Sequence, residues 1–203
     1  MFMHDLELGA EKVAGADEAG RGCLAGPIVA AGVLLDRDCL ASEGGGGISG
    51  IRDSKKLTAK ARQRLYPEVL RSALRVVVVI RSAASIDALG LHNSNMECLG
   101  RAIEGLEPDS ETISLVDGFQ LKECQVPHRR LVKGDSISAA VAAASVIAKV
   151  TRDRCMVRAG VRYPGYGFES HKGYASAAHR DAIRLLGPSP IHRMSFDSDA
   201  YRT

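Results

Sequence analysis

Two short apolar runs in this chain end in the same way, in acid and then glycine. Val13-Ala14-Gly15-Ala16 leads into Asp17 and Glu18, with Gly20-Arg21-Gly22 behind them, and Thr112-Ile113-Ser114-Leu115-Val116 leads into Asp117-Gly118. Runs this short and this apolar read as buried strands. Strands alternating with helical stretches build an α/β layer, and in such sheets the strand ends converge along one edge. Either acid alone would pass for an ordinary strand end before a turn. The repeat points to a sheet that gathers carboxylates at one edge.

The remaining elements fit that layer. Pro27 to Leu35 and Arg75 to Ile80 read as further strands, the second, RVVVVI, being the clearest buried one. Thr58 reads as the N-cap of a helix reaching about Ser72, and Pro127 to Val132 as a fifth strand. Helices are expected at Ala83 to Leu89 and Asn93 to Leu106, with Leu91, Met96, Leu99, Ile103 and Leu106 at spacings that make one apolar face. Asp135 reads as the N-cap of a long alanine-rich helix ending near Val157, in which Ser138 and Ser145 read as packing residues. His171-Lys172-Gly173-Tyr174 opens a further helix to about Leu186, and Gly44 to Gly47 belongs to a mobile surface loop. The run Gly20, Gly22, Gly26 is not a dinucleotide-binding turn. A β-like stretch follows it, and Asp17 and Glu18 would repel a pyrophosphate.

Charge is distributed in blocks. Residues 52–75 and 149–203 are net basic, whereas 1–51 and 87–111 are net acidic. This suits a polyanion held at its flanks by cations, although a solvated mixed-charge surface would give the same count. The five cysteines form no CxxC or Cys/His cluster, which speaks against a zinc site or a disulfide framework and for reduced thiols in a cytoplasmic protein. No stretch approaches the roughly 20 apolar residues of a membrane span.

Asp17, Glu18, Asp117 and Asp135 all fall at strand or helix termini. Carboxylates brought together repel and raise one another's pKa, so the set favours divalent cations, which take oxygen ligands. Two such ions can activate water and stabilise the leaving oxygen of a phosphoryl displacement. With basic elements on either side, that chemistry points to a nuclease.

GADEAGRG, DSKKL, the strand-ending DG, KGDSISAAVAAASVIAKVTRDR, HKGY and PIHRMSF stand in that order from residue 15 to 196. Together they resemble ribonuclease HII, the type 2 ribonuclease H family. The resemblance implies a ribonuclease H-like α/β fold, a mixed five-stranded sheet flanked by helices. It also implies a single catalytic domain over 1–203, whose mainly helical part from about 160 closes the substrate groove. It makes Asp17, Glu18, Asp117 and Asp135 the catalytic carboxylates and the ligands of two Mg²⁺ or Mn²⁺ ions. Asp17 and Glu18 alternate in direction along a strand, so sharing one site calls for a turn or bulge there. Gly20, Arg21 and Gly22 would read the 2′-hydroxyl at the RNA–DNA junction, the group that distinguishes RNA from DNA. Tyr174 would stack on the following deoxyribose, and Ser54, Lys55 and Lys172 would hold phosphates. His171 and His192 receive no catalytic role.

The resemblance favours the HII type over HIII, which carries a lysine where this chain has Arg21. It implies an endoribonuclease acting as a monomer on RNA–DNA hybrids and on single ribonucleotides embedded in duplex DNA. Cleavage 5′ of the ribonucleotide would leave 3′-hydroxyl and 5′-phosphate ends. The rival readings are a metal-dependent DNA nuclease of the same fold and a non-catalytic nucleic-acid-binding module.

Overall fold

The computed structural model describes residues 1–42, 47–51 and 57–201. Its centre is β1 (Lys12–Ala19), which pairs antiparallel with β2 (Ile28–Asp36) on one side and parallel with β4 (Thr112–Asp117) on the other. β3 (Arg75–Arg81) and β5 (Arg129–Leu131) complete a mixed five-stranded sheet in the order β3-β2-β1-β4-β5. RVVVVI is therefore an edge strand and not the buried one expected of it: Val78 is 38 % and Ile80 is 52 % exposed. An apolar run cannot distinguish the rim of a sheet from its middle, because it does not say how many neighbours the strand will have. β5 is shorter than the run from Pro127 suggested, as proline has no N–H to give a ladder.

Helices cover both faces. On one lies the long α6 (Ala139–Arg162), with α1 (Phe2–Glu7), α2 (Arg37–Ala41) and α3 (Ala59–Ser72) around it. α5 (Leu91–Glu104) covers the other face, joined through α4 (Ala83–Leu89) to β3. Alanines let α6 come close to the sheet. A Cβ on Gly15 would lie 2.2 Å from the Ala140 carbonyl carbon, so β1 can carry only glycine there.

The start of α6 departs from expectation. Asp135 lies in a 3₁₀ turn (Gly134–Ser136), and the N-cap is Ser138, whose hydroxyl accepts from Val141 N–H. Asp5 of α1 completes the cap: its fully buried carboxylate accepts from Ser138 Oγ at 2.9 Å and Ala140 N–H at 3.0 Å. The C-terminal part is broken where one helix was expected. α7 (Phe168–His171) stops at Lys172 and Gly173, both left-handed, and α8 (Ala177–Leu186) begins anew behind the Ser176 cap. Tyr174 thereby stands in the loop between the two helices.

Candidate active site

β1 runs past the end of its parallel neighbour. Its ladder with β4 stops at Ala16↔Val116, while its pairing with β2 continues residue for residue through Asp17↔Ala31 and Glu18↔Ala30. There is no bulge between the two acids. Alternation sends Asp17 to the α6 face, with Val13 and Ala19, and Glu18 to the α5 face, with Ala14 and Ala16. What joins them is the notch beyond Val116, where the sheet opens and Asp117 at the tip of β4 faces both.

The electrostatics record that convergence. Burial pushes the Asp17 carboxyl up to about 8, with the charges of Glu18 and Asp117 adding to the rise. Burial also lifts Glu18, to about 7, again with help from Asp117. Ser145 on α6 hydrogen-bonds Asp17 and pulls the other way, as does the Glu18 N–H, 2.7 Å from Asp17 Oδ1. Ser145, which reads from sequence as a packing residue, therefore touches an acid. Asp117 Oδ1 accepts from Gly134 N–H at 2.6 Å, which ties the 3₁₀ turn to the tip of β4 and brings half-buried Asp135 next to that contact. Asn95 of α5 lies near enough to favour ionised Glu18, but Glu18 Oε2 and both Asn95 amide atoms are buried without a hydrogen bond of normal geometry.

The Gly20-Arg21-Gly22 loop is shaped from behind by two buried arginines. Arg193 donates to the carbonyls of Gly20 and Arg21 at 2.8 Å each and to that of Gly26 at 2.9 and 3.0 Å. Arg152 donates to the carbonyls of Ala25, Pro27 and Lys172. Gly20, at φ +91°, is required, since a Cβ there would lie 1.8 Å from Arg152 Nε. With its carbonyls turned inward, the loop exposes Arg21, whose guanidinium sits 5.0 Å from the centre of the Phe119 ring.

A cavity of about 390 Å³ opens beside this loop, lined by Glu18, Gly20 to Gly22, Arg62, Ser145, Lys149 and Tyr174. Tyr174 is 44 % exposed, and its ring lies 5.2 Å from Lys149 Nζ and 5.7 Å from the Arg152 guanidinium carbon. A larger, more apolar groove of about 510 Å³ between α6 and β3 holds none of the acids. Lys172 does not line the cavity: its ammonium is turned back onto the Glu169 and Ser170 carbonyls. Besides Arg21, the cations that line it are Arg62 and Lys149, which sequence reasoning passed over. Lys149 falls four residues before Asp153, its ion-pair partner at 2.9 Å, so the pair reads from sequence as a solvated helix face. Ser54 and Lys55 lie outside the described residues, as do Gly44 to Gly46.

Comparison with known proteins bears on this arrangement. The family model described as Ribonuclease HII matches residues 14–199. Ribonuclease HII of Salinispora arenicola is 49 % identical over 93 % of this chain and 68 % of its own length. The chain belongs to the ribonuclease HII family. It is accordingly an endoribonuclease, and its sheet is the ribonuclease H-like fold. Among solved structures, ribonuclease HII in the complex with PCNA from Archaeoglobus fulgidus superposes with a TM-score of 0.75 at 30 % identity, covering 90 % of this chain and 92 % of that one. The ribonuclease H2 of Pyrococcus horikoshii gives 0.72 at 26 %, covering 94 % and 95 %.

Members of a metal-dependent family need a site that fits divalent cations, and the residues at the notch fit. All donors are hard carboxylate oxygens, one of them the buried and unpartnered Glu18 Oε2, and their mutual repulsion is what a cation relieves. Among the described residues no three such donors already surround a common point, as expected of like charges with nothing between them. No helix of the described residues is long and apolar enough to cross a membrane.

Proposed function

We propose that this ribonuclease HII hydrolyses the RNA strand of RNA–DNA hybrids and nicks duplex DNA 5′ of a single embedded ribonucleotide, leaving 3′-hydroxyl and 5′-phosphate ends. The observation that carries this reading is the meeting of Asp17, Glu18 and Asp117 at the sheet notch, beside a loop whose carbonyls are drawn inward by Arg193. Asp17, Glu18 and Asp117 would hold two Mg²⁺ or Mn²⁺ ions, with Asp135, one residue from the Gly134–Asp117 bond, completing the set. When bound, the ions supply a water of lowered pKa and Lewis-acid stabilisation of the leaving oxygen.

The protein's own residues supply position. Gly20, Arg21 and Gly22 meet the junction, where the 2′-hydroxyl distinguishes a ribonucleotide from its neighbours. Exposed Tyr174, held on the loop between α7 and α8, offers a flat face to the sugar that follows. Arg62 and Lys149 line the same cavity and suit backbone phosphates, with Ser54 and Lys55 assigned there by family resemblance alone. Lys172 reaches a phosphate only if its ammonium leaves the Glu169 carbonyl. The helical segment from about 160 closes one side of the groove through Tyr174. Five free cysteines suit a cytoplasmic enzyme.

The test is a duplex DNA with one ribonucleotide, incubated with Mg²⁺ or with EDTA, and the break mapped. One nick on the 5′ side of the ribonucleotide, only with metal, is expected. Equal cutting of an all-DNA duplex would make the protein a DNA nuclease instead.

A further inference from the structure

α5 turns an apolar stripe towards the sheet. Cys98, Leu99, Ala102, Ile103 and Leu106 are all buried in one cluster with Ala14, Ala16 and Val116. Asn95 continues that stripe by one turn, at helical spacing of three and four residues from Cys98 and Leu99, and is itself fully buried. A primary amide at a core position normally finds hydrogen-bond partners, yet neither Nδ2 nor Oδ1 of Asn95 has one. Each buried group left so costs about 1–3 kcal/mol, which leucine at that position would avoid. On the same face of β1 is Glu18, whose Oε2 is also buried and unpartnered and whose ionised form Asn95 favours. Two unsatisfied groups of complementary kind thus stand on one face at the notch, their polar atoms closed off from solvent.

We propose that Asn95 is a positioning residue of the active site, whose carboxamide donates from Nδ2 to the Glu18 carboxylate and fixes its direction when a divalent cation is held. Asn95 touches neither substrate nor reacting atoms; it acts through Glu18. The proposal rests on the functional reading above, which makes Glu18 a ligand.

Asn95→Leu removes the amide and keeps the branching at Cγ. Its unfolding midpoint should equal or exceed that of the parent. Calorimetric titration with Mn²⁺, without substrate, should show affinity weakened about 10–100-fold, the usual effect of losing a ligand's outer partner. On hybrid substrate kcat should fall by a similar factor with KM little changed. Parental Mn²⁺ affinity and kcat in a folded Asn95→Leu would overturn the proposal. A second arm needs no variant: in ¹⁵N spectra of the unaltered protein, Mg²⁺ should shift the Asn95 side-chain amide, and an unmoved signal sinks the idea even if Asn95→Leu fails to fold. A protein that shifts this amide yet cuts no hybrid would overturn the functional reading alone.

Discussion

The acid notch and the layer of cations and histidines behind it are both buried and polar, and they are resolved in opposite ways. At the notch, Asp17 and Glu18 are raised to about 8 and about 7 by burial and mutual repulsion, and Glu18 Oε2 has no partner. Behind it everything is matched. His192 Nδ1 accepts from Ser189 N–H, its Nε2 faces His179 Nε2 at 3.1 Å, and His179 Nδ1 donates to the Tyr174 carbonyl. His171 links Gly173 N–H to the Tyr166 carbonyl. Each of these rings satisfies both nitrogens only as the neutral form, and burial accordingly pushes His179 down to about 4. Arg193 and Arg152 spend their donors on carbonyls. The satisfied layer is scaffold, which holds the loop carrying Arg21 and the loop carrying Tyr174. The unsatisfied notch is where stability has been given up for chemistry.

Breaking the notch should have the largest effect. Asp17→Asn or Asp117→Asn is expected to lower hybrid cleavage on the order of a thousandfold or more, with substrate binding largely spared, as rate and filter-binding assays would show. Asp17→Asn should also stabilise the metal-free protein, because it removes a carboxyl whose charged form burial disfavours. Breaking the scaffold should do the reverse. Arg193→Ala strands the carbonyls of Gly20, Arg21 and Gly26, so chemical denaturation should show a loss of on the order of 3 kcal/mol. Its residual activity should place the nick less sharply.

The smallest effect sharpens the comparison through pH. A carboxyl raised from 3.8 to about 8, or from 4.5 to about 7, favours the folded state fully at low pH and loses that contribution as pH rises through its folded value. His179, lowered from 6.5 to about 4, works the other way: its contribution is present above 6.5 and lost as pH falls towards 4. Of these three groups, only the acids still lose their contribution above pH 6.5. In chelator, unfolding free energy should therefore decline from pH 6.5 to 8.5, less steeply in Asp17→Asn and less steeply with saturating Mg²⁺. An identical decline in all three would detach the slope from the notch.

Much of this was legible in the chain. The strand-ending acids at Asp17, Glu18 and Asp117 and the glycine-flanked Arg21 follow from local patterns with a periodicity or a turn to mark them, whereas the mixed sheet was implied by the family resemblance. Residues recruited across the fold carried no such mark. Asp5 caps a helix 133 residues away at Ser138, Ser145 meets Asp17 from an alanine-rich helix, and Asn95 looks like a stray polar residue until its stripe faces Glu18. RVVVVI reads as buried and lies at the rim, because strand order is not a local property.

By itself the sequence determined which stretches become strands, where their acids fall and that like charges would need a cation between them, since these depend on near neighbours and on the chemistry of carboxylates. Only the tertiary structure decided that Asp17 and Glu18, on opposite faces of an unbulged strand, share one notch. The reason is that the β1–β4 ladder stops at Ala16, three residues before β1 itself ends, and a gap between strands exists only once the strands are paired.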